Sequence, residues 1–343
     1  MPRNHRRTAA PHHGGRMPGL PITFACGLYD RMLPLYAGAV LVEGVDLNFI
    51  NIDSPREIFD RMSGSLEFDV CEYSSSEFIS RFAGKQCPFV ALPVFPSRSF
   101  RHGFIAINRK QIRTAKDLEG KRIGLPMYTM TASIFIKGLL QHDCGIDLST
   151  VTWVEGQING GQAHGNPTTM PLVKPVAIER NKTGKSLSDL LEAGELQAVI
   201  GTSLPRALGR NPDIQRLFPD YHAAERDYYR RTRIFPIMHL VVIRRDVYER
   251  HPFVATSLFK AFCAAKELAI SKMRSGVALR YMLPWMAAEI DEIDEVFGGD
   301  AWPYGIEPNR PTLDALVQYL HEQSLIAAPV EINDLFVPIY GGG

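Results

Sequence analysis

Short apolar runs alternate with amphipathic stretches along most of the chain. Residues 22–26 (ITFAC) and 45–50 (VDLNFI) are apolar or alternate with period two, as strands do. Residues 54–62 begin Ser-Pro and then place Ile58, Phe59 and Met62 at helical spacing, which predicts a helix. Strand 68–71 follows, then a helix over 74–82 with Ser74 and Glu77 at capping-box spacing, then strands 89–94 and 103–108. A helical turn at 116–120, strand 122–125, helix 129–140 and strand 151–154 repeat the grammar. A Gly/Gln/Asn/Pro-rich connection over 155–171 leads to helix 187–193 and strands 197–200 and 240–243. This order implies parallel or mixed sheets covered by helices. The last hundred residues change character: 252–273, 277–297 and 312–324 read as helices, the second interrupted at Pro284.

At about 150 residues per domain, 343 residues predict two lobes. The expected fold is therefore α/β, a two-lobed clamshell with a helical C-terminal part. Residues 1–19 form a leader outside the fold, 20–102 the first part of lobe one, and 103–238 lobe two. Residues 239–343 return to lobe one and add the C-terminal helices. The chain is expected to cross between lobes at 95–102 and 235–239. Clamshells of this kind bind ligands between the lobes, at the carboxyl ends of strands.

Composition narrows the function classes. With 45% hydrophobic and 22% charged residues, the chain is globular. No apolar run approaches the roughly 18–20 residues of a membrane span, so no membrane partner is expected. Net charge is +1, without the basic excess of a nucleic-acid binder. The balance is uneven. Arg3, Arg6, Arg7 and Arg16 lie in the leader without an acid, and the other 34 basic residues face 37 acidic ones. The leader has no apolar segment of the secretory type, so a cytoplasmic location is expected, with Met17 as an alternative start. Five cysteines without a CxxC spacing predict neither a disulfide framework nor a zinc site. Size and the long helical C-terminal part suggest a homo-oligomer.

Four segments carry candidate chemistry. The first is a recurrence of strand, hydroxyl and helix start: Glu72-Tyr73-Ser74, Tyr128-Thr129-Met130-Thr131, and Gly201-Thr202-Ser203. Free N–H groups at helix starts attract anions, although ordinary N-capping explains each one singly. The second is Arg98, Arg101 and His102 within five positions of an expected crossing. Arginine forks suit carboxylates, and a His beside them serves as base or proton relay; a solvated basic loop is the plain alternative. The third is His239, which interrupts an apolar run and is either a core residue or faces the cleft. The fourth is Trp302-Pro303-Tyr304-Gly305 with Arg310, able to stack on a ring and pair an acid, or simply a loop before a helix. No GxSxG, HExxH, Walker A or GxGxxG motif is present.

These segments also carry a resemblance. GLYDRMLPL (27–35), FDVCEYSSSEF (68–78), FVALPVFPSRSFRHGFIAIN (89–108), GKRIGLPMYTMTA (120–132), RLFPDY (216–221), FPIMHLVVIRRDVYE (235–249) and WPYGIEPNRPTL (302–313) resemble the 4,5-dihydroxyphthalate decarboxylase family. The resemblance implies a type II periplasmic-binding-protein-like fold and a decarboxylase of a hydroxylated aromatic acid that needs no metal or cofactor. Such a reaction needs an acid for the ring carbon, an acceptor for the phenol proton and a clamp for carboxylates. Arg98 and Arg101 are the expected clamp, helped by Ser74, Thr129 and Thr131. His102 or His239 is the expected acid. Glu72 or Asp30 accepts from the phenol or orients the His. Arg31 binds substrate or pairs with its neighbour Asp30, and Tyr304 and Arg310 complete the substrate contacts. The competing reading is a non-catalytic solute-binding protein for an aromatic or dicarboxylic acid, against which the missing export signal argues.

Overall fold

A computed structural model describes residues 19–160, 170–277 and 279–340. Most of the expected leader and the centre of the Gly-rich connection lie outside the described residues.

Lobe one begins with β1 (Leu20–Cys26), α1 (Leu33–Tyr36), β2 (Val45–Asn51), α2 (Pro55–Ser65), β3 (Val70–Ser74), α3 (Ser75–Ala83) and β4 (Phe89–Arg98). The second sheet then forms from β5 (Ile105–Asn108), β6 (Arg122–Leu125), α4 (Thr131–His142), β7 (Thr152–Glu155), β8 (Ile178–Arg180), α5 (Leu187–Glu192), β9 (Ala198–Ile200) and β10 (Ile214–Arg216). Helix α6 (Tyr221–Thr232) leads back to β11 (Ile237–Arg244), followed by α7 (Arg245–Arg250), α8 (Phe253–Arg274), α9 (Met286–Phe297) and α10 (Arg310–Glu322).

The first sheet has the order β2-β1-β3-β11-β4 and the second β10-β5-β9-β6-β7-β8. Strands β1, β2 and β3 are parallel, whereas β11 enters antiparallel between β3 and β4. The chain thus leaves lobe one after β4, builds lobe two, and returns into the middle of the first sheet. β3 is buried throughout and β4 nearly so, as expected of strands covered on both faces. Helix α4 is apolar over most of its circumference and buried from Thr131 to Leu140. Gly138 lets the Tyr319 ring of α10 lie against it; a Cβ there would stand 2.3 Å from the ring.

The helix expected over 277–297 starts only at Met286, because Pro284 has no amide N–H for a helical bond. The preceding segment leaves Val277, Leu279, Met282, Leu283 and Trp285 exposed. Helix α6 and strands β8 and β10 escaped the apolar pattern. α6 buries only Tyr228, and the two strands are three residues each. Gly201-Thr202-Ser203 opens no helix, since Pro205 and Gly209 bracket a run too short for one. Among the described residues, no helix is long and apolar enough to cross a membrane.

Candidate active site

Strand β3 delivers Glu72 and Ser74 to one face of the sheet, because alternate residues share a face. The register sets His239 opposite Ser74 on one side and opposite Ser97 of β4 on the other. The β11–β4 register shifts on both sides of His239, an irregularity that re-aims its side chain. Its Nδ1 lies 2.5 Å from Glu72 Oε1. Glu72 is wholly buried and also accepts from Tyr29 Oη at 2.8 Å and from Cys26 Sγ at 3.4 Å. Burial alone would raise the Glu72 carboxyl; His239, Tyr29 and Cys26 outweigh it and hold the group below the usual carboxylate range. With Nδ1 engaged, Nε2 is the ring nitrogen without a hydrogen bond among the described residues, and His239 lines an interlobe cavity of about 410 Å³.

Lobe one supplies Arg56, Phe59, Ser74, Glu77 and Ser97 to that cavity; lobe two supplies Met127, Met130, Thr131 and Thr202, and the crossing supplies Arg101. Phe59 meets the His239 ring edge-on, with centroids 5.0 Å apart. The starts of α3 and α4 face each other. The Ser76 amide donates to Thr131 Oγ1 at 3.2 Å, the Thr131 hydroxyl donates to Ser76 Oγ at 2.9 Å, and Ser76 Oγ donates to the Thr129 carbonyl at 2.9 Å. Ser74 Oγ caps α3 by accepting from the Glu77 amide, and it lies 3.1 Å from Thr131 Oγ1. The start of α3 is therefore largely satisfied by the protein itself, while α4 has no side-chain cap.

The arginines divide. Arg101 is buried against the cavity, its guanidinium over Phe104, and it forms no ion pair among the described residues. Its Nε is buried without a hydrogen-bond partner among the described residues, and burial pulls its pKa down to about 10. Arg98 points the other way. It donates to the Pro303 carbonyl at 3.2 Å and to Asn309 Oδ1, and burial pulls it down to about 9.

Several expected site residues stand elsewhere. His102 is buried between Phe218 and Tyr228, with Nδ1 3.8 Å from Glu225, and burial pushes it down to about 4. It does not line the cavity. Asp30 pairs with Arg31 at 2.9 Å, and Arg31 also donates to the Pro96 carbonyl and lies over the Tyr29 and Trp302 rings. Neither lines the cavity, nor does buried Tyr304, whose hydroxyl has no partner among the described residues. Arg310 is tied to Glu307 and Asn333 on the surface. Thr129 sits beside the cavity, in a water-sized void with Ser80 and Glu77.

Arg56 escaped the motif reading, and Glu77, expected as the acid of a capping box, accepts the Arg56 guanidinium instead while its amide takes the Ser74 cap. They pair across α2 and α3, and Arg56 also reaches Asp60 at 2.7 Å. The signal was present: Ser54, which caps α2, is one more instance of strand, hydroxyl and helix start. One group of possible metal ligands exists among the described residues, His222, Glu289 and Glu292, but it is largely exposed and Arg226 already pairs with Glu292.

No protein-family model matches the chain. The 4,5-dihydroxyphthalate decarboxylase of Comamonas testosteroni is 33% identical over 329 residues, covering 94% of this chain and 98% of that protein. The 4,5-dihydroxyphthalate decarboxylase of Pseudomonas putida is 39% identical over 215 residues, covering 62% of this chain and 82% of that protein. A periplasmic sulfonate-binding protein of Methylobacillus flagellatus KT superposes with a TM-score of 0.50 at 13% identity, covering 94% of this chain and 93% of that one. That likeness shows the two-lobed periplasmic-binding-protein-like fold alone. Identity sustained over nearly the whole length of the Comamonas protein shows that the chain belongs to the 4,5-dihydroxyphthalate decarboxylase family.

Proposed function

We propose that this chain decarboxylates a hydroxylated aromatic (di)carboxylic acid, such as 4,5-dihydroxyphthalate to protocatechuate, in the interlobe cavity. The observation that carries the reading is a carboxylate-held His239 facing the same cavity as Arg101, a buried guanidinium with no ion-pair partner among the described residues. A buried charge of this kind calls for an anionic ligand.

Loss of carbon dioxide from an aromatic ring would leave a strongly basic aryl carbanion. A hydroxyl para to the departing carboxylate opens a milder route by feeding electron density into the ring carbon. In this reading Arg101 holds a substrate carboxylate and the uncapped start of α4 adds its amides. His239 acts in its imidazolium form: Nδ1–H stays hydrogen-bonded to Glu72, and the second proton, on Nε2, passes to the carbon that bears the departing carboxylate. The electron pair of the C–C bond then returns to the ring as carbon dioxide leaves, and His239 regains its proton from water. Glu72 acts through the imidazole and does not itself touch the substrate.

The test is carbon dioxide release from a panel of hydroxylated benzoates and phthalates by the purified full chain. Release that depends on His239 supports the reading. Tight binding without release from any member would favour a solute-binding protein.

A further inference from the structure

We propose that the Arg56–Glu77 pair recognises the ring hydroxyl of the substrate, a specificity role separate from carboxylate binding by Arg101. It rests on the reading that the cavity takes a hydroxylated aromatic acid.

The two arginines of the cavity sit in opposite charge environments. Arg101 has no ion-pair partner among the described residues, and Glu225, the acid whose charge acts on it, does not line the cavity, so the cavity side of Arg101 favours an anion. Arg56 is neutralised twice over, by Glu77 and by Asp60. A second carboxylate approaching Arg56 would therefore meet a local excess of negative charge. A neutral hydroxyl would not. It both donates and accepts, and the pair offers one of each where it lines the cavity: Glu77 oxygens accept and the Arg56 guanidinium donates.

Placement agrees with the chemistry. The Arg56 guanidinium lies 5.3 Å from the Phe59 ring centroid, and His239 meets the same ring edge-on. An aromatic substrate packed on Phe59 would lie within reach of both the proton donor and the pair. The Glu77 side chain is 6% exposed, so water competes poorly for its oxygens.

The experiment measures calorimetric affinities of three acids for the full chain: 3,4-dihydroxybenzoate, which is the proposed product protocatechuate, 3,4-difluorobenzoate and benzoate. Difluorobenzoate is similar in size to the dihydroxy acid but has no O–H donor. The wild type is expected to prefer the dihydroxy acid over both others by about tenfold or more, the usual yield of a hydrogen bond to a charged group. Glu77→Gln and Arg56→Lys should shrink that preference to within threefold while changing benzoate affinity less than twofold. Arg101→Gln should weaken all three acids alike. The proposal is overturned if the wild type binds the difluoro acid as tightly as the dihydroxy one, or binds none. It is equally overturned if folded Glu77→Gln keeps the preference or weakens all three equally. The wild-type comparison stands even where a variant fails to fold. A preference that behaves as expected in a chain that releases no carbon dioxide would refute the decarboxylase reading and leave the hydroxyl assignment intact.

Discussion

His239 and Glu72 meet across the β3–β11 register: Nδ1 of the ring lies 2.5 Å from a carboxylate oxygen that solvent does not reach. His239 stands opposite Ser74, and Glu72 lies two residues back on the same face of β3, so the contact is the diagonal neighbour of a cross-strand pair. Sheet pairing, rather than loop conformation, thus fixes the ring. The carboxylate dictates that Nδ1 carries a proton, leaving Nε2 for the cavity.

If His239 delivers the proton, His239→Ala lowers kcat at least a hundredfold, because a positioned acid contributes about 10²–10⁴-fold. Glu72→Gln keeps the shape but loses the charge, and lowers kcat at least tenfold with KM within threefold of wild type. Steady-state kinetics on variants with unchanged circular dichroism checks both. Wild-type kcat in His239→Ala would remove the assignment.

His102 is expected to govern stability instead of catalysis. Its pKa is about 4 in the folded protein because burial opposes the charge, against about 6.5 in an unfolded chain. Between these values the unfolded state binds a proton that the native state refuses, so stability falls as pH falls. The loss from pH 7 to pH 5 is on the order of 2 kcal/mol. Glu72, depressed in the folded state, loses its contribution only at lower pH, as its folded pKa is passed. Urea midpoints at pH 7 and pH 5 measure the difference, and His102→Gln should flatten it. An equal pH dependence in that variant would show that other groups carry it.

Local pattern and long-range contact explain what could be read from the sequence. The apolar runs of β1, β3, β4 and β11 and the Ser74 cap are local features, and each lies within a few residues of its expected place. His239 was legible because a polar residue inside a buried strand needs a partner. The Arg98–His102 segment was legible only as a group. Which side chain faces the cavity depends on Asn309, Phe218 and Tyr228, more than 100 residues away. Arg56 carries no motif, and the spacing of Glu77 from Ser74 reads only as a capping box; the packing of α2 beside α3 is what turns the two into a cavity wall.

Arg98 and Arg101 should respond differently to the same conservative change. Lysine keeps the charge but loses the planar fork. Arg101→Lys is expected to raise KM about tenfold with little loss of stability. Arg98→Lys is expected to leave KM within twofold and to destabilise the fold by about 1–3 kcal/mol, the usual cost of breaking buried hydrogen bonds, here those to Asn309 and Pro303. Paired kinetic and thermal measurements decide. A large KM effect in Arg98→Lys alone would reverse the assignment.

Thr131 should control how the lobes meet. Its hydroxyl joins α4 of lobe two to Ser74 and Ser76 of lobe one. Thr131→Val keeps the shape but leaves the Ser76 amide without its acceptor, at a cost of about 1–3 kcal/mol. Because these bonds cross the cleft, the cost falls on the closed arrangement and not on either lobe. The expected result is a KM raised about tenfold and a larger radius of gyration in ligand-free solution scattering. Thr131 also lines the cavity, so a raised KM alone could reflect a lost substrate contact. The scattering result separates the two causes, since a substrate contact has no effect in the absence of substrate. Thr131→Ser retains the hydroxyl and should behave as wild type in both measurements. An unchanged radius in Thr131→Val would mean that the apolar contacts between α3, α4 and α10 hold the lobes together without the hydroxyl.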